Sequence, residues 1–238
     1  MLDVTILDNS VIFDIETVPI APSYEDLRTD NPAVFEAFEY CCKFTNKDAS
    51  ISCEDYFQKQ ASFNPEYAKV CCFSFGKLHL DDNGKDYEIE TRSYYGPDEI
   101  KILKQVAKLL EKANKMNFHI GGHNVKNFDN PFLIKRYIIN GMPVPEILWV
   151  GNKKPWELKV LDSKELWKSG SWTQNTSMVE IALTLGLQSP KNIMDGGDVR
   201  KEYWENEAYE KIAKYCEGDV KATMEILLRL TDWFYGKR

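Results

Sequence analysis

The stretch from Val11 to Thr17 reads V-I-F-D-I-E-T and places two carboxylates one residue apart. In an extended strand, side chains alternate between two faces, so Asp14 and Glu16 point to one face while Phe13 points to the other. A buried strand must satisfy both acids, because an unpaired buried carboxylate is costly. Mg²⁺ and Mn²⁺ prefer such oxygen ligands. The pair therefore predicts either a metal site or a strand end whose acids reach solvent, and acids elsewhere in the chain must decide.

The composition of the 238-residue chain, 43% hydrophobic and 28% charged, is that of an ordinary globular protein. Its net charge of -7 argues against tight, sequence-independent attraction to nucleic acid but not against an enzyme that touches a few nucleotides. We find no transmembrane run and no signal peptide, so we expect a cytoplasmic protein without membrane association. The six cysteines include two adjacent pairs and no CxxC, so we expect reduced thiols and no disulfides.

The order of predicted elements is that of one mixed α/β domain covering residues 1–238. A strand at 10–17 is followed by a hairpin of two strands, 70–80 and 86–95, with Asn83-Gly84 in its turn. The other elements follow from helical spacing, caps and short apolar runs. They are a weak strand at 2–7, a helix from Pro97, a strand at 118–121, a helix at 131–140, a strand at 158–161, a helix at 177–185 and a helix from 207 to about 235. Ser177 and Glu180 predict a capping box at the start of the helix at 177–185. An insertion at about 23–68 contains two short predicted helices. Both a substrate-lining lid and a structural elaboration stay open for it.

Two further acids are placed where they can join the first pair. Asp129 stands where a strand turns into a helix, and we expect Asn130 to cap that helix and leave Asp129 free. Asp219 lies one helical turn after Tyr215, beside an apolar stripe. Each has an alternative explanation when taken alone, a helix cap for Asp129 and a Tyr–Asp hydrogen bond at the rim for Asp219.

Three motifs together carry a family resemblance: F-D-I-E-T at 13–17, N-V-K-N-F-D at 124–129 and Y-C-E-G-D at 215–219. In this order and spacing they resemble the DEDD superfamily of 3′-to-5′ exonucleases. The chain is similar to its tyrosine variant, because Lys214 stands where the histidine variant has its base. The segment 185–191 is similar to stand-alone exonucleases that resemble the proofreading domain of family B DNA polymerases. The resemblance covers about residues 10–230 and implies an α/β, ribonuclease H-like fold, with a five-stranded mixed sheet whose second strand is antiparallel and whose faces are flanked by helices.

The resemblance also implies metal-dependent hydrolysis of phosphodiester bonds from the 3′ end, releasing nucleoside 5′-monophosphates. Two Mg²⁺ or Mn²⁺ ions about 4 Å apart would stabilise the attacking and leaving oxygens. Asp14, Glu16, Asp129 and Asp219 would hold these ions, with Asp14 between them. Tyr215 would position the attacking water and is the fifth expected catalytic residue.

Substrate contacts are expected beside the motifs, at Thr17, Val18, Asn124 and Phe128. Ordinary strand-end packing is the alternative for the first two, and a core position is the alternative for Phe128. A basic and aromatic edge for single-stranded substrate is expected at Lys191, Arg200, Lys201 and Trp204.

The expected substrate is the 3′ end of single-stranded nucleic acid, DNA in preference to RNA. Two alternatives stay open: an RNA-directed exonuclease, and a non-catalytic nucleic-acid-binding or polymerase-accessory subunit on the same fold. A replication or repair partner is compatible with the sequence, which names none.

Overall fold

A five-stranded sheet forms the centre of the computed structural model, which describes residues 2–45, 51–81, 86–149, 151, 153–154, 157–171, 175–188, 194 and 196–231. The strands are β1 (Ser10–Pro19), β2 (Ala68–Leu80), β3 (Tyr87–Tyr95), β4 (His119–Gly122) and β5 (Val160–Asp162). They lie in the order β3-β2-β1-β4-β5, with β2 antiparallel to β1 and β3, and with β4 parallel to both β1 and β5. The predicted mixed sheet with an antiparallel second strand is confirmed.

Helices flank the sheet on both faces, and several of them lie in the connections between strands. They are α1 (Val4–Asp8), α2 (Tyr24–Asp30), α3 (Pro32–Thr45), α4 (Cys53–Gln60), α5 (Glu99–Lys115), α6 (Asp129–Ile139), α7 (Ser163–Lys168), α8 (Met178–Thr184), α9 (Val199–Trp204) and α10 (Tyr209–Arg229). Single 3₁₀ turns occur at Ala61–Phe63, Glu146–Leu148 and Gly196–Asp198. Within the described part of the chain, we find no helix with the length and apolar character needed to cross a membrane.

The alternation of side chains along β1 divides the core between the two faces of the sheet. Phe13 and Ile15 pack with residues of α5 and α6, and Phe13 stacks on Phe73 at 5.0 Å between ring centroids. On the other face, Ile12 packs with Val220 and other residues of α10. The acids of β1 therefore face α10, since they alternate with Phe13 and Ile15.

Close approach of α10 to the sheet depends on a glycine in β2. A Cβ atom at Gly76 would lie 2.7 Å from the sulfur of Met224 and 2.9 Å from Cγ1 of Val220. A larger residue at this position would therefore push α10, which carries part of the candidate site, away from β1.

Several predicted boundaries are corrected by local hydrogen bonding. The weak strand predicted at 2–7 is wrong: the side chain of Asp3 accepts from the Thr5 amide and begins α1. A helix cap thus prevails over a weak alternation of side chains. The predicted capping box of Ser177 and Glu180 is confirmed at the start of α8. Gly218 does not interrupt α10, and the predicted hairpin turn at 82–84 and the helix beyond 231 lie outside the described residues.

The insertion is a small helical unit, α2 to α4, with its own core that includes Leu27, Phe38 and Phe57. Its two ends meet where β1 ends and β2 begins, and there the Ile20 amide donates to the Tyr67 carbonyl at 3.0 Å. Both short helices predicted inside it are present, and α2 precedes them.

The prediction of no disulfides is wrong, because Cys42 of α3 and Cys53 of α4 form one, with Cα atoms 6.0 Å apart. The partners come from different helices, so only the packing of α3 on α4 brings them together. The adjacent thiols Cys71 and Cys72 are free and buried, as expected for reduced thiols. Strict alternation fails here, because the pairing of β1 with β2 skips Cys71 and both side chains pack in one cluster.

Candidate active site

Asp14 and Glu16 lie side by side on the central strand β1, half-buried between fully buried apolar neighbours. Asp14 is paired across the ladder with Ser74 and Glu16 with Cys72, both on β2. The ladder shifts register directly after Glu16. Up to that point regular strand geometry holds the two carboxylates on one face, so their separation is set by the backbone rather than by flexible side chains.

Asp129 joins the pair from the first turn of α6. Its Oδ1 accepts a hydrogen bond from the backbone amide of Ile15 at 3.1 Å, which ties it to the residue between the two acids of β1. The predicted cap at Asn130 is wrong: α6 begins with Phe128 at its N-cap position, and the Asn130 side chain donates to the Leu148 carbonyl at 3.1 Å. Asn130 thus anchors α6 from inside the helix.

Tyr215, Cys216 and Asp219 approach from α10, and all three are buried. A hydrogen bond joins Tyr215 to Asp219, one helical turn away. The Cys216 sulfur lies 3.4 Å from the backbone oxygen of Asp14 and 3.4 Å from its Oδ2. Ligand atoms of Asp14, Glu16 and Cys216 all lie within 4.8 Å of one another. Sequence analysis missed Cys216, for which the only signal is its position inside the third motif.

Burial and mutual repulsion raise the pKa values of the carboxyl groups in this cluster. Burial raises the pKa of Asp14 well above its usual range, and the charges of Asp129, Asp219 and Glu16 raise it further. The pKa of Glu16 is raised by burial and then by Asp219. Burial also raises the pKa of Asp129 to about 7, against the opposing effect of its backbone hydrogen bonds. Repelling carboxylates in a buried cluster are stabilised by a bound cation.

The donor set fits a hard divalent cation. Carboxylate oxygens are the ligands of Mg²⁺ and Mn²⁺, whereas a thiolate suits softer metals. Burial raises the pKa of the Cys216 thiol well above its usual range, and the neighbouring Cys72 adds to the effect. Cys216 therefore stays protonated and acts toward Asp14 as a hydrogen-bond donor rather than as a competing ligand.

The loop that leads to Asp129 is held by Asp162 at the end of β5. Its Oδ1 accepts from the Asn124 amide at 3.0 Å and its Oδ2 from the Lys126 amide at 3.1 Å. The same carboxylate caps α7 through the amides of Lys164 and Glu165. Asp162 thus braces the second motif, a role that the spacing along the chain does not reveal.

A cleft of about 490 Å³ opens beside Glu16 and receives some of the predicted substrate residues. Thr17 and the half-buried Phe128 line it. The side chain of Val18 is fully buried among residues such as Cys71 and Met194, so it does not reach the cleft. Asn124 is not in the cleft wall either, and its backbone amide donates a hydrogen bond to Asp162.

The predicted basic and aromatic edge is arranged differently. Arg200 reaches the insertion, where its guanidinium donates to the Gln58 side chain and to the Pro22 carbonyl. Trp204 packs under the ammonium group of Lys69, 4.6 Å from the ring centroid. Lys191 lies outside the described residues. The insertion lines the cleft, which is in keeping with one of the two roles left open for it, but nothing in the sequence singles out Phe63.

Comparisons with known proteins agree with this geometry. Residues 63–235 match a family described as a predicted 3′-5′ exonuclease related to the exonuclease domain of PolB. The fold is similar to that of the family B DNA polymerase from the hyperthermophilic archaeon Pyrobaculum calidifontis, with a TM-score of 0.55 and 16% sequence identity. That match covers 93% of this chain and 24% of the polymerase, so the chain spans about a quarter of the polymerase's length. No curated protein sequence matches the chain.

Proposed function

The chain belongs to the family of predicted 3′-5′ exonucleases related to the exonuclease domain of PolB, and from that premise we propose that it hydrolyses single-stranded DNA from the 3′ end with two divalent metal ions. The observation that carries the proposal is the convergence of four carboxyl groups from β1, α6 and α10. Burial is the largest cause of the raised pKa values of Asp14, Glu16 and Asp129, and strongly perturbed pKa values of this kind are typical of catalytic sites.

Asp14, Glu16, Asp129 and Asp219 are the proposed ligands of two Mg²⁺ or Mn²⁺ ions. Bound in this way, such ions lower the pKa of water and stabilise the attacking and leaving oxygens of phosphoryl transfer. The chain's own contribution is to hold the ligands in place. The Ile15 amide orients Asp129, and the Cys216 thiol orients Asp14 from the opposite side.

Tyr215 is proposed to orient the attacking water through its hydroxyl oxygen, which accepts a hydrogen bond from the water while the hydroxyl proton is donated to Asp219. Burial and the charges of Asp219, Glu16 and Asp14 raise its pKa above the ordinary value of 10.0. The phenol therefore keeps its proton at neutral pH and is a poor general base. Gly196 borders the same hydroxyl, since a Cβ atom there would lie 3.6 Å from it. This small residue leaves room for water and substrate next to Tyr215.

Attack on the terminal phosphodiester breaks the bond to the 3′ oxygen of the preceding nucleotide. The products are a nucleoside 5′-monophosphate and a chain one nucleotide shorter. A cleft of about 490 Å³ lies in the size range of small-ligand sites and supports a substrate of one or two unpaired nucleotides. The aromatic residues in its wall favour single strands, whose bases are free to stack.

The proposal is tested by following a 5′-labelled single-stranded DNA over time with Mg²⁺ or Mn²⁺, with EDTA as a control. We expect a descending ladder of single-nucleotide steps that EDTA and Asp14→Asn both abolish. Asp98→Asn, at an exposed cap of α5, is the matched control and should leave the ladder unchanged. RNA of the same sequence tests the sugar preference. An uncut substrate with both metals, or a ladder that survives Asp14→Asn, would contradict the proposal.

A further inference from the structure

The insertion forms one wall of the cleft that begins at the catalytic cluster. The cleft is lined by Glu16 and Thr17 of β1 and by Gln58, Lys59, Ser62 and Phe63 of the insertion. The Thr17 hydroxyl donates to the Ser62 carbonyl at 2.7 Å, so this wall is fixed to the residue directly after Glu16. A substrate that reaches Glu16 must therefore pass the end of α4 and the turn that follows it.

Phe63 is the aromatic side chain that this wall presents. It is 60% exposed, although large apolar side chains are normally covered in a folded domain. Its ring meets Phe128 at 6.3 Å between centroids, and Phe128 in turn packs on the buried Phe132 at 5.6 Å. Phe63 is thus supported from behind while one side of its ring remains open. That arrangement is typical of a stacking platform for an unpaired base.

The wall is also braced and carries positive charge. The Arg200 guanidinium of α9 donates to the Gln58 side chain and lies over the Phe57 ring at 5.8 Å, which joins α9 to the insertion across the cleft. The exposed Lys59 follows Gln58 on the same wall. A rigid aromatic next to a cationic side chain is the combination with which proteins hold single strands, by stacking on bases and neutralising phosphates.

We propose that Phe63 stacks on a nucleobase next to the scissile bond and that the insertion is thereby part of the substrate site. The inference rests on the proposed exonuclease function and deepens it. It decides between the two roles that the sequence leaves open for residues 23–68. The base is that of the 3′-terminal nucleotide or of its neighbour, since the cleft opens directly beside Glu16.

The test is a comparison of Phe63→Ala with wild type in steady-state cleavage of single-stranded DNA. We expect KM to rise about 5- to 150-fold, the range for loss of one stacked base, while kcat changes little. Phe63→Trp should restore KM, since it keeps an aromatic face. Phe44→Ala is the matched control: Phe44 is also an exposed aromatic of the insertion but lies outside the cleft, and its removal should leave KM unchanged.

A second substrate series separates stacking from a merely structural role. One oligonucleotide lacks the base of the 3′-terminal nucleotide, and a second lacks the base of the penultimate nucleotide. For wild type, one of these two substrates should have a higher KM than the intact oligonucleotide. The same substrate should cause no further rise for Phe63→Ala, because the stacking partner is already gone. Equal KM for wild type and Phe63→Ala, or fully additive effects at both positions, would refute the inference alone. A wild-type protein that shortens no DNA or RNA would refute the proposed function together with it.

Discussion

Replacement of Asp129 by asparagine is expected to stabilise the metal-free protein while abolishing its activity. Asp129 is 3% exposed, and burial raises the pKa of its carboxyl group from the ordinary value of 3.8 to about 7. Asparagine keeps an oxygen that can accept from the Ile15 amide and removes the charge that Asp14 experiences from this position. The substitution thus separates the electrostatic cost of the cluster from its packing.

The sign of the effect follows from proton linkage. The native state keeps the Asp129 proton up to about pH 7, whereas the unfolded chain loses it near pH 3.8. The stability of the metal-free wild type therefore falls as the pH rises through this window. One pKa unit corresponds to about 1.36 kcal/mol, so the two units from pH 5 to pH 7 amount to roughly 3 kcal/mol. The asparagine of Asp129→Asn has no proton to release in this pH range, so the free energy of unfolding of the variant does not fall for this reason.

The measurement is urea-induced unfolding in EDTA at pH 5 and pH 8. The advantage of Asp129→Asn over wild type should grow by about 3 kcal/mol between these values. Asp3→Asn is the control: hydrogen bonds from Thr5 lower the pKa of Asp3 below its ordinary value of 3.8, so this carboxyl group is ionised at both pH values and the effect of its replacement should be the same at pH 5 and pH 8. Added Mg²⁺ should stabilise wild type more than Asp129→Asn. A difference between the two proteins that stays constant with pH would refute the reasoning.

Three further outcomes are expected. Tyr215→Phe should slow turnover, measured as single-turnover cleavage, because the proposed water contact is lost. Metal affinity should be largely preserved, because all four carboxyl groups remain although the hydrogen bond between Tyr215 and Asp219 is lost; an unchanged rate would contradict the role of Tyr215. Glu99→Ala should lower the free energy of unfolding, measured with urea, by about 3–5 kcal/mol. In wild type the buried Arg136 guanidinium donates to Glu99 at 2.8 and 2.6 Å, and the substitution leaves it without a carboxylate partner. Cys53→Ser should lower Tm without reductant and have little effect with dithiothreitol, because reduction removes the same bond to Cys42 from wild type.

The fold and the four acids could be predicted from sequence because their signals are local. The alternation of side chains along β1 places Asp14 and Glu16 on one face and Phe13 on the other. The second and third family motifs name the further acids, Asp129 and Asp219. The capping box at Ser177 is equally local, and the structure confirms it. Such features depend on neighbours within four residues, which a single sequence displays directly.

The features that sequence analysis missed are contacts between distant segments. Cys216 touches Asp14 across 202 residues, and Arg200 reaches Gln58 across 142. The disulfide of Cys42 depends on how α3 packs on α4, and Phe63 lies beside Glu16 only because the insertion folds back onto β1. The wrong cap at Asn130 has the same origin, since the Leu148 carbonyl competes for its side chain. Tertiary partners decide these cases, and residue type alone does not name them.

The hydrogen bond between Ile20 and Tyr67 makes the insertion a segment that can be replaced when the protein is redesigned. It closes the insertion at its base, where β1 and β2 are already paired as far as Pro19 and Ala68. Two antiparallel neighbours can be joined by a turn of two residues, so everything between these ends is an exchangeable module on an intact sheet. A replacement of this segment should leave the acids of β1 in place, because β1 and β2 remain paired up to its two ends. Grafting a different segment between the same two ends offers a direct route to redesigned nucleotide preference.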